Sequence, residues 1–276
     1  MATWFITGCS TGIGRATAEA VAQRGHTVVA TARRPKTLDD LAAAFPGLVV
    51  PLALDVTDDA SVDAAVSAAL TSVGTIDVLV NNAGIGYFST IEESDPDDVR
   101  AMMEANFWGA ARVTTALLPH LRARRAGHIL TVSSIAGVRG SAGLGYYCAT
   151  KFAVSGFMEA LAAEVGHLGI KVTLIEPGPV RSQWIPSGEK KEEILSDYDE
   201  VMRPFWDRIH ALPGKQPGSP EALAEAVLAL VDAAEPPLHF IAGAHALAGV
   251  RTKIERLTAE VDTWENLTRS VDRPAG

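Results

Sequence analysis

At residues 7–15 the chain reads Thr7-Gly8-Cys9-Ser10-Thr11-Gly12-Ile13-Gly14-Arg15. A short apolar run, Trp4–Thr7, precedes this stretch, and an alanine-rich segment of helical length, Ala16–Arg24, follows it. Glycines let the backbone turn tightly and approach a pyrophosphate, while the following helix supplies unpaired N–H groups at its N-terminus. A glycine loop alone can be a structural turn, but one between a strand and a helix indicates a dinucleotide site. The predicted cofactor contacts in this loop are Gly8, Ser10, Thr11, Gly12, Ile13 and Gly14.

The same alternation of strand and helix continues along most of the chain. Apolar, β-branched runs lie at Trp4–Thr7, Thr27–Thr31, Val49–Leu54, Val78–Asn81, His128–Ser133, Val172–Ile175 and Leu238–Ala242. Continuous apolar strands that alternate with helices are typical of a parallel sheet covered on both faces. The sequence therefore predicts an α/β fold with a doubly wound, seven-stranded parallel sheet. We expect residues 1–245 to form this single domain and residues 246–276 to be a helical extension of it.

The composition argues against a nucleic-acid-binding, metal-binding or membrane-spanning protein. The 276 residues are 47% hydrophobic, and the net charge is −9. Nucleic acid is not expected as a partner, because its binding needs a concentrated basic surface. The two cysteines show no metal-ligand spacing, so no metal site is expected. Since no apolar run reaches 18 residues and the first strand begins at about Thr3, we expect no membrane span, no cleavable signal and a cytoplasmic location.

Two regions depart from the alternation. The stretch Ser182–Gly218 is long for a connection in a compact domain, and it is both charged and aromatic. Loops of this length usually have a function, so we predict that residues 182–218 form a lid over the substrate. In the tail, Leu257, Val261 and Trp264 are spaced 4 and 3 apart. This spacing predicts an amphipathic helix that packs on the domain edge or on another subunit.

Tyr147 and Lys151 are four residues apart, which places both side chains on one face of a helix. A free tyrosine titrates near pH ~10, and a lysine cation within about 4–6 Å favours the phenolate and lowers that pKa. Such a tyrosine can act as general acid towards a carbonyl oxygen or as general base towards an alcohol. An isolated pair of this kind is more often a surface contact, so other motifs must support it. Tyr146 is excluded because the residue four positions on is Thr150.

Further motifs in a fixed order support the catalytic interpretation. They are Thr7-Gly8-x-x-x-Gly12-x-Gly14, Asp55, Asn81-Asn82-Ala83-Gly84, Asn106, Ser134, Tyr147 with Lys151, and Pro177-Gly178-Pro179-Val180. With these motifs, almost all of the first 245 residues resemble the short-chain dehydrogenase/reductase family. The resemblance implies a single-domain Rossmann fold and an oxidoreductase with a nicotinamide cofactor. The opening Trp4–Gly8, the strand end Ala30–Arg33 and the long C-terminal region are closest to hydroxysteroid and retinol dehydrogenases.

The resemblance also implies roles for single residues. Tyr147 would exchange the proton with the substrate, and Ser134 would hold the substrate oxygen. Ser134 lies 13 residues before Tyr147, which is a usual spacing in the family, whereas Ser133 does not have this spacing. Lys151 would lower the Tyr147 pKa and hold the nicotinamide ribose. Asn106 would bind a water of a proton relay; a buried side chain that caps a backbone kink is the alternative. The implied cofactor contacts beyond the glycine loop are Asp55, Val56, Asn82, Ala83, Gly84, Tyr147, Lys151, Pro177, Gly178, Val180 and Ser182.

The end of the second predicted strand indicates which nicotinamide cofactor is used. An acidic residue there would bind the ribose 2′-hydroxyl and repel a 2′-phosphate. The chain instead has Arg33 and Arg34, whose guanidinium groups suit a phosphate dianion. The alternative is that both arginines are merely solvated. We predict NADP(H) rather than NAD(H).

The substrate is the least determined part of the prediction. The residues expected to line its pocket are Tyr87, Phe88, Val138, Leu144, Trp184, Phe205 and Trp206. Their aromatic character predicts a bulky, hydrophobic ketone or secondary alcohol, and hence a carbonyl reductase or alcohol dehydrogenase. The alternative is a non-catalytic, NADP(H)-binding regulatory protein on the same fold. Since the family is usually dimeric or tetrameric, a homodimer or homotetramer is expected.

Overall fold

The computed structural model describes residues 1–185 and 195–272, and it contains one sheet of seven parallel strands in the order β3-β2-β1-β4-β5-β6-β7. The strands are β1 Thr3–Ile6, β2 Thr27–Ala32, β3 Val49–Ala53, β4 Val78–Asn81, β5 Gly127–Val132, β6 Ile170–Pro177 and β7 His239–Ala242. The predicted parallel sheet is confirmed, and each strand lies within two residues of the predicted run at either end.

Helices connect the strands and cover both faces of the sheet. They are α1 Gly12–Gln23, α2 Asp39–Ala44, α3 Asp59–Val73, α4 Pro96–Met103, α5 Gly109–Arg124, α6 Gly145–Val165, α7 Asp199–Ala211, α8 Pro220–Asp232 and α9 Ala244–Arg269. Local signals set several of their ends. Ser219, for example, caps α8 by accepting a hydrogen bond from the Ala222 N–H, with Pro220 in the first helical position.

The short apolar strand β1 contributes side chains to the hydrophobic cores on both faces of the sheet. Successive side chains of a strand point to opposite faces of a sheet. Trp4 and Ile6 therefore pack in the layer of α1 and α8, whereas Phe5 packs in the layer of α3, α5 and α6. All three side chains are buried. Because both faces are covered, the strand has to be apolar throughout rather than alternating.

Asn81 at the end of β4 ties the central strands together. Its side-chain Nδ2 donates to the Thr114 hydroxyl of α5 at 2.8 Å and to the Thr131 hydroxyl of β5 at 3.2 Å. A buried amide needs such partners because an unpaired polar group inside a protein is costly. The interaction fixes β4 next to β5 where both strands end.

The order of the strands decides where a ligand can bind. Strand β1 lies between β2 and β4, so the chain winds outward in one direction from β1 to β3 and in the other from β4 to β7. In open α/β sheets such a switch point leaves a crevice at the carboxyl ends of the strands. Residues 7–15 begin at the carboxyl end of β1, and they therefore border this crevice.

The predicted lid leaves and rejoins the sheet edge at one place. Val180 and Gly218 form an isolated parallel bridge, with hydrogen bonds from the Gly218 N–H to the Pro179 carbonyl and from the Arg181 N–H to the Gly218 carbonyl. Helix α7 lies inside this excursion, and Met202, Phe205, Trp206 and Ile209 are its buried residues. The predicted lid residues 186–194 lie outside the described residues, and a lid function stays a prediction.

The tail forms the predicted helix, but most of it does not pack on the domain. Only the beginning of α9 is anchored, where Ala246 and Val250 are buried. Leu257, Val261 and Trp264 are each about half exposed. The expected packing on the domain edge is therefore limited to the first two turns. Within the described ranges, no helix has the length and apolarity that a membrane span requires.

Candidate active site

The glycine loop presents backbone N–H groups to the crevice. Gly8 and Gly12 adopt positive φ angles of 71° and 61°, a region that side chains disfavour. Helix α1 begins at Gly12, and the preceding Thr11 gives it no side-chain cap. The first-turn N–H groups therefore remain available for an anion, and the helix dipole favours negative charge at this end. This geometry fits the pyrophosphate of a dinucleotide.

Asn82 holds the loop in shape from the neighbouring strand β4. Its Nδ2 donates to the carbonyl oxygens of Thr7 at 2.9 Å and Gly8 at 3.1 Å. The Thr7 hydroxyl in turn accepts from the backbone N–H groups of Asn82 and Ala83. A Cβ atom at Gly14 would overlap Asn82 Nδ2 and lie 2.5 Å from the Gly8 carbonyl oxygen. Packing behind the loop thus requires a glycine at position 14, which does not line the cavity, and its contact with a cofactor stays a prediction.

The two arginines after β2 have different surroundings in the structure. Arg33 lines the crevice, and its charge contributes to a lowered pKa of Asp55. Hydrogen bonds from the backbone and the hydroxyl of Thr57 are the larger causes of that lowered pKa. Arg34 is not among the lining residues; its carbonyl accepts from Thr37 at the next turn. The cofactor prediction therefore rests on Arg33.

The crevice is one continuous cavity of about 1060 Å³, which extends from the glycine loop to the predicted lid. Most of the predicted site residues line it. Those present are Gly8, Ser10, Thr11, Gly12, Ile13, Arg33, Asp55, Val56, Asn82, Ala83, Gly84, Phe88, Ser134, Leu144, Tyr147, Lys151, Pro177, Gly178, Val180, Ser182, Trp184 and Phe205. Residues from distant parts of the chain thereby line one cavity, as a site for both a cofactor and a substrate requires.

Tyr147 lies in the middle of this wall and is 6% exposed. Burial raises the pKa of its phenol above the usual value, because the charged form loses its hydration, while a hydrogen bond with Ser134 acts in the opposite direction. The predicted lowering of this pKa by Lys151 is not observed: burial is the largest cause, and the lysine ammonium lies 5.8 Å from the centre of the tyrosine ring. Tyr147 therefore carries its proton at neutral pH.

Lys151 is buried one helical turn from Tyr147. Its Nζ donates to the Val132 carbonyl at 2.9 Å. Burial lowers its pKa from 10.5 to about 8, because the ammonium is removed from water. Lys151 consequently remains mostly charged at neutral pH and becomes neutral in mildly alkaline solution.

The two adjacent serines have different surroundings. Ser134 Oγ accepts a hydrogen bond from the Ala136 N–H at 3.1 Å, and its hydroxyl is hydrogen-bonded to the Tyr147 phenol. The Ser133 hydroxyl pairs with the hydroxyl of Ser155 at 3.2 Å inside the domain. Ser134 is therefore the serine that can hold a substrate oxygen. Ser133 also borders the cavity, but its hydroxyl is already paired with that of Ser155. Tyr146 is not among the cavity residues, whereas Tyr147 is.

Asn106 lies behind the cavity wall in a π-helical turn, Glu104–Trp108, between α4 and α5. Its Oδ1 accepts from the Ile85 N–H at 2.7 Å, and its Nδ2 donates to the Ile85 carbonyl and the Thr150 hydroxyl. Both amide protons and one lone pair are thus used by protein groups. These contacts hold the Asn106 side chain beside the π-helical turn, and both the water relay and the purely structural alternative stay predictions.

Aromatic side chains close the cavity above Tyr147. The Trp184 ring lies 4.9 Å from the Tyr147 ring and 5.1 Å from that of Phe88, measured between ring centres. Phe205 of α7 packs on Phe88 at 6.1 Å. Gly86 permits the approach of Trp184, since a Cβ there would lie 2.8 Å from the indole. We call Phe88, Trp184 and Phe205 the aromatic wall.

Three residues predicted for the substrate pocket do not line the cavity. Tyr87 is buried behind it, where its hydroxyl accepts from the Asp95 N–H. Trp206 packs behind the wall, with its ring 6.4 Å from that of Phe88 and stacked on His210, and it does not line the cavity. Val138 follows the short 3₁₀ turn Ile135–Gly137 and is also absent from the lining. Aromatic character alone could not predict which side chains face the ligand.

Several polar side chains of the cavity were not predicted individually as site residues. Arg139, Arg208, Gln216 and His245 all line the cavity. The Gln216 side chain is 2% exposed, and within the described residues neither its Nε2 nor its Oε1 has a hydrogen-bond partner. An amide so buried requires a polar partner, which a ligand can supply. No local sequence signal distinguishes it, because only the return of the lid segment to the sheet edge places it there.

The geometry agrees with the result of family comparison. Residues 2–193 match the family model described as short chain dehydrogenase. The chain belongs to the short chain dehydrogenase family.

Curated relatives extend this result. Oxidoreductase BOA17 of Botryotinia fuckeliana is 39% identical over 266 residues, which cover 96% of this chain and 97% of that protein. The 3-ketodihydrosphingosine reductase of Bacteroides thetaiotaomicron is 34% identical over 87% of each chain. Retinol dehydrogenase 8 of Bos taurus is 33% identical over 86% of this chain and 80% of its own. The predicted resemblance to a retinol dehydrogenase-like branch is thus supported by relatives of that kind.

Solved structures of similar proteins cover nearly the whole chain. A short-chain dehydrogenase from Streptomyces avermitilis has a TM-score of 0.91 with 37% identity, and the match covers 99% of both chains. An alcohol dehydrogenase from Thermococcus sibiricus, complexed with 5-hydroxy-NADP, has a TM-score of 0.73, 26% identity, and coverage of 87% and 95%. A dehydrogenase from Burkholderia phymatum, in complex with NAD, has a TM-score of 0.83, 25% identity, and coverage of 94% and 95%. Solved structures similar to this chain thus include complexes with NAD and with an NADP derivative.

Proposed function

We propose that this short chain dehydrogenase is an NADP(H)-dependent carbonyl reductase or alcohol dehydrogenase for a bulky, hydrophobic ketone or secondary alcohol. The observation that carries the proposal is the position of Tyr147. Its phenol is buried in the cavity wall, hydrogen-bonded to Ser134 and one helical turn from Lys151. The glycine loop lies at the other end of the same cavity.

When bound, the nicotinamide cofactor supplies or accepts the hydride. Tyr147 donates its proton to the carbonyl oxygen during reduction, and its raised pKa keeps the phenol in the form that can do so. Ser134 donates a hydrogen bond to the same oxygen as negative charge develops there. Lys151 holds the ribose hydroxyls and stabilises the phenolate that remains after proton transfer.

Arg33 supports the preference for NADP(H). It lies at the end of β2, lines the cavity, and has no ion-pair partner among residues 1–185 and 195–272. No acidic residue follows β2 directly, where the chain reads Arg33-Arg34. A free guanidinium at this position suits a 2′-phosphate.

The aromatic wall supports a bulky apolar substrate. Phe88, Trp184 and Phe205 cover the space beside the Tyr147 phenol with hydrophobic surface. The 3-ketodihydrosphingosine reductase and retinol dehydrogenase 8 among the relatives carry names of large lipid-like substrates. We expect the substrate of this enzyme to be of comparable size, with one reactive carbonyl or hydroxyl.

The experiment compares Tyr147→Phe with Tyr146→Phe in a panel of aryl ketones, ketosteroids, β-ketoesters and secondary alcohols. Tyr147→Phe should lose turnover by about 10²–10⁴-fold, because general acid catalysis contributes that much. Its NADPH affinity, measured by fluorescence titration, should stay within about twofold of the wild type. Tyr146→Phe should be active. NADPH binding by the wild type without turnover of any panel member would instead indicate the non-catalytic regulator.

A further inference from the structure

Helix α9 projects from the body of the enzyme. Its first two turns pack on the domain through Ala246 and Val250. From Ile254 to Asp272 every residue is exposed. At 1.5 Å per residue, the stretch from Ile254 to Arg269 extends for about 24 Å. Helical stability in proteins comes mostly from packing of an apolar face, so a free helix of this length needs a partner.

Apolar residues of α9 form a heptad repeat at Leu247, Val250, Ile254, Leu257, Val261 and Trp264, and Val271, just beyond the helix, continues it. Val250 is buried against the domain and the others are exposed; Leu267, also exposed, lies beside this stripe. Up to Trp264 the steps alternate strictly between three and four residues, and Val271 follows one heptad later. The exposed fraction is 57% for Ile254 and 60% for Trp264. A narrow stripe with a period of 3.5 residues is the pattern of a two-helix coiled coil, whereas a helix that packs on a globular core has a broader face.

The charges beside the stripe change sign along the helix. The flanking positions hold Arg251 and Lys253 near the beginning, and Glu260, Glu265 and Asp272 near the end. In a parallel pair, Glu260 of one helix would face Glu265 of the other, and like charges would repel. In an antiparallel pair, the basic beginning of each helix lies along the acidic end of the other.

The existing ion pairs of α9 do not oppose such pairing. Glu260 interacts with Arg256 at 3.1 Å, and Glu265 with Arg269 at 2.7 Å, both one turn apart on an exposed helix. Exposed pairs of this kind contribute little and rearrange easily. Arg251 and Lys253 have no ion-pair partner within the described part of the chain. These cations are therefore available to a second molecule.

We propose that α9 associates with α9 of a second copy of this chain as an antiparallel, two-stranded coiled coil. The pattern is complementary to itself under a two-fold axis, which is the condition for a symmetric dimer contact. A membrane surface fits less well, because the outer half of the helix is acidic and the chain has a net charge of −9. The contact holds the two catalytic domains at opposite ends of the helix pair.

The first test measures the mass of the full-length enzyme by sedimentation across a range of concentrations. Leu257→Asp/Val261→Asp changes the stripe, and Ala259→Asp/Asn266→Asp adds the same charge to the outer face. We expect the stripe variant to fall to half the mass of the wild-type assembly, or to associate at least about tenfold more weakly. The outer-face variant should behave like the wild type. Both should keep wild-type activity, since neither pair of positions borders the cavity.

An unchanged mass for the stripe variant at every concentration would overturn the proposal. Co-sedimentation with vesicles of phosphatidylcholine and phosphatidylserine is measured in parallel. Binding of the wild type to these vesicles that the stripe variant loses, together with an unchanged mass, would identify a membrane as the occupant and would also overturn it.

The second test addresses the orientation. Arg251→Glu/Lys253→Glu and Glu260→Lys/Glu265→Lys should each weaken self-association, because they place like charges together in an antiparallel pair. The variant that combines all four changes should recover wild-type association, since the charge pattern is then only reversed. Failure of the combined variant to recover would contradict an antiparallel pair.

Discussion

The two ends of the cavity are built by different means. At the pyrophosphate end, one nine-residue stretch shapes the backbone, and Asn82 holds it through two carbonyl groups. At the substrate end, Phe88, Trp184 and Phe205 come from three separate segments and meet through their rings. A site formed by backbone depends on the absence of side chains, whereas a wall formed by rings depends on their volume. The two ends should therefore respond differently to substitution.

The sharpest test of the pyrophosphate end is Gly14→Ala. The added methyl group would overlap Asn82 Nδ2 and displace the loop, so we expect NADPH affinity to fall at least ~100-fold and stability to fall by about 1–3 kcal/mol. Fluorescence titration and thermal unfolding measure the two effects. Gly156→Ala is the control, because nothing lies within 4 Å of a Cβ at that position in α6. Wild-type affinity in Gly14→Ala would show that the loop tolerates a side chain.

A smaller effect is expected at the adenosine ribose. Arg33→Ala should lower kcat/KM for NADPH roughly 10–100-fold and leave that for NADH unchanged, because a hydrogen bond to a charged group contributes about 1.5–3 kcal/mol. Arg34→Ala, which removes the same charge outside the cavity, should change either value less than about twofold. Equal effects of the two variants would mean that the general positive charge, and not a specific contact of Arg33, determines the preference for NADPH.

At the substrate end, Trp184→Ala should raise the KM for a bulky ketone by about tenfold, because a single aromatic contact contributes about 0.5–1.5 kcal/mol beyond its buried area. NADPH affinity should not change, since the ring contacts Tyr147 and Phe88 rather than the loop. Trp184→Phe should be intermediate. A loss of NADPH affinity would show that the two ends of the cavity are not separate.

The smallest effect concerns Lys151, between the two ends. Below pH 8 the folded protein bears the cost of a buried ammonium, whereas above pH 10.5 the lysine is neutral in both the folded and the unfolded state. Lys151→Met should therefore raise the unfolding free energy of the cofactor-free enzyme by about 1–2 kcal/mol at pH 7, after loss of the hydrogen bond to Val132 is deducted.

That gain should shrink as the pH rises from 8 to 10.5, because the wild type recovers stability when its lysine loses the proton. Denaturant unfolding at several pH values measures it. Lys171→Met, at an exposed position of β6, is the control and should show no such dependence. A gain that is constant with pH would mean that packing, not charge, is responsible.

Local sequence was sufficient for much of the molecule. Each strand was predicted to within two residues, because a strand buried on both faces has to be a continuous apolar run. The spacing of Tyr147 and Lys151 placed both on one wall, since a helix returns to the same face every four residues. Ser219 and Pro220 marked the start of α8 through capping and a fixed φ angle.

Other features needed the folded chain. The sequence implied a lowered pKa for Tyr147, but burial, which depends on the whole cavity, raises it. Tyr87, Val138 and Trp206 were expected in the pocket, and the packing of neighbouring elements turns them away. Arg33 and Arg34 could be separated only by the direction in which the strand end points.

The sequence by itself determined the fold, the family and the position of the cofactor loop, because backbone turns and strand burial are set by residues close together in the chain. Only the tertiary structure decided which aromatic rings, arginine and buried amide face the ligand. These choices depend on segments as far apart as Phe88 and Gln216 meeting at one edge of the sheet. The tertiary structure also showed that α9 projects beyond the domain, so that its heptad repeat is exposed to a partner.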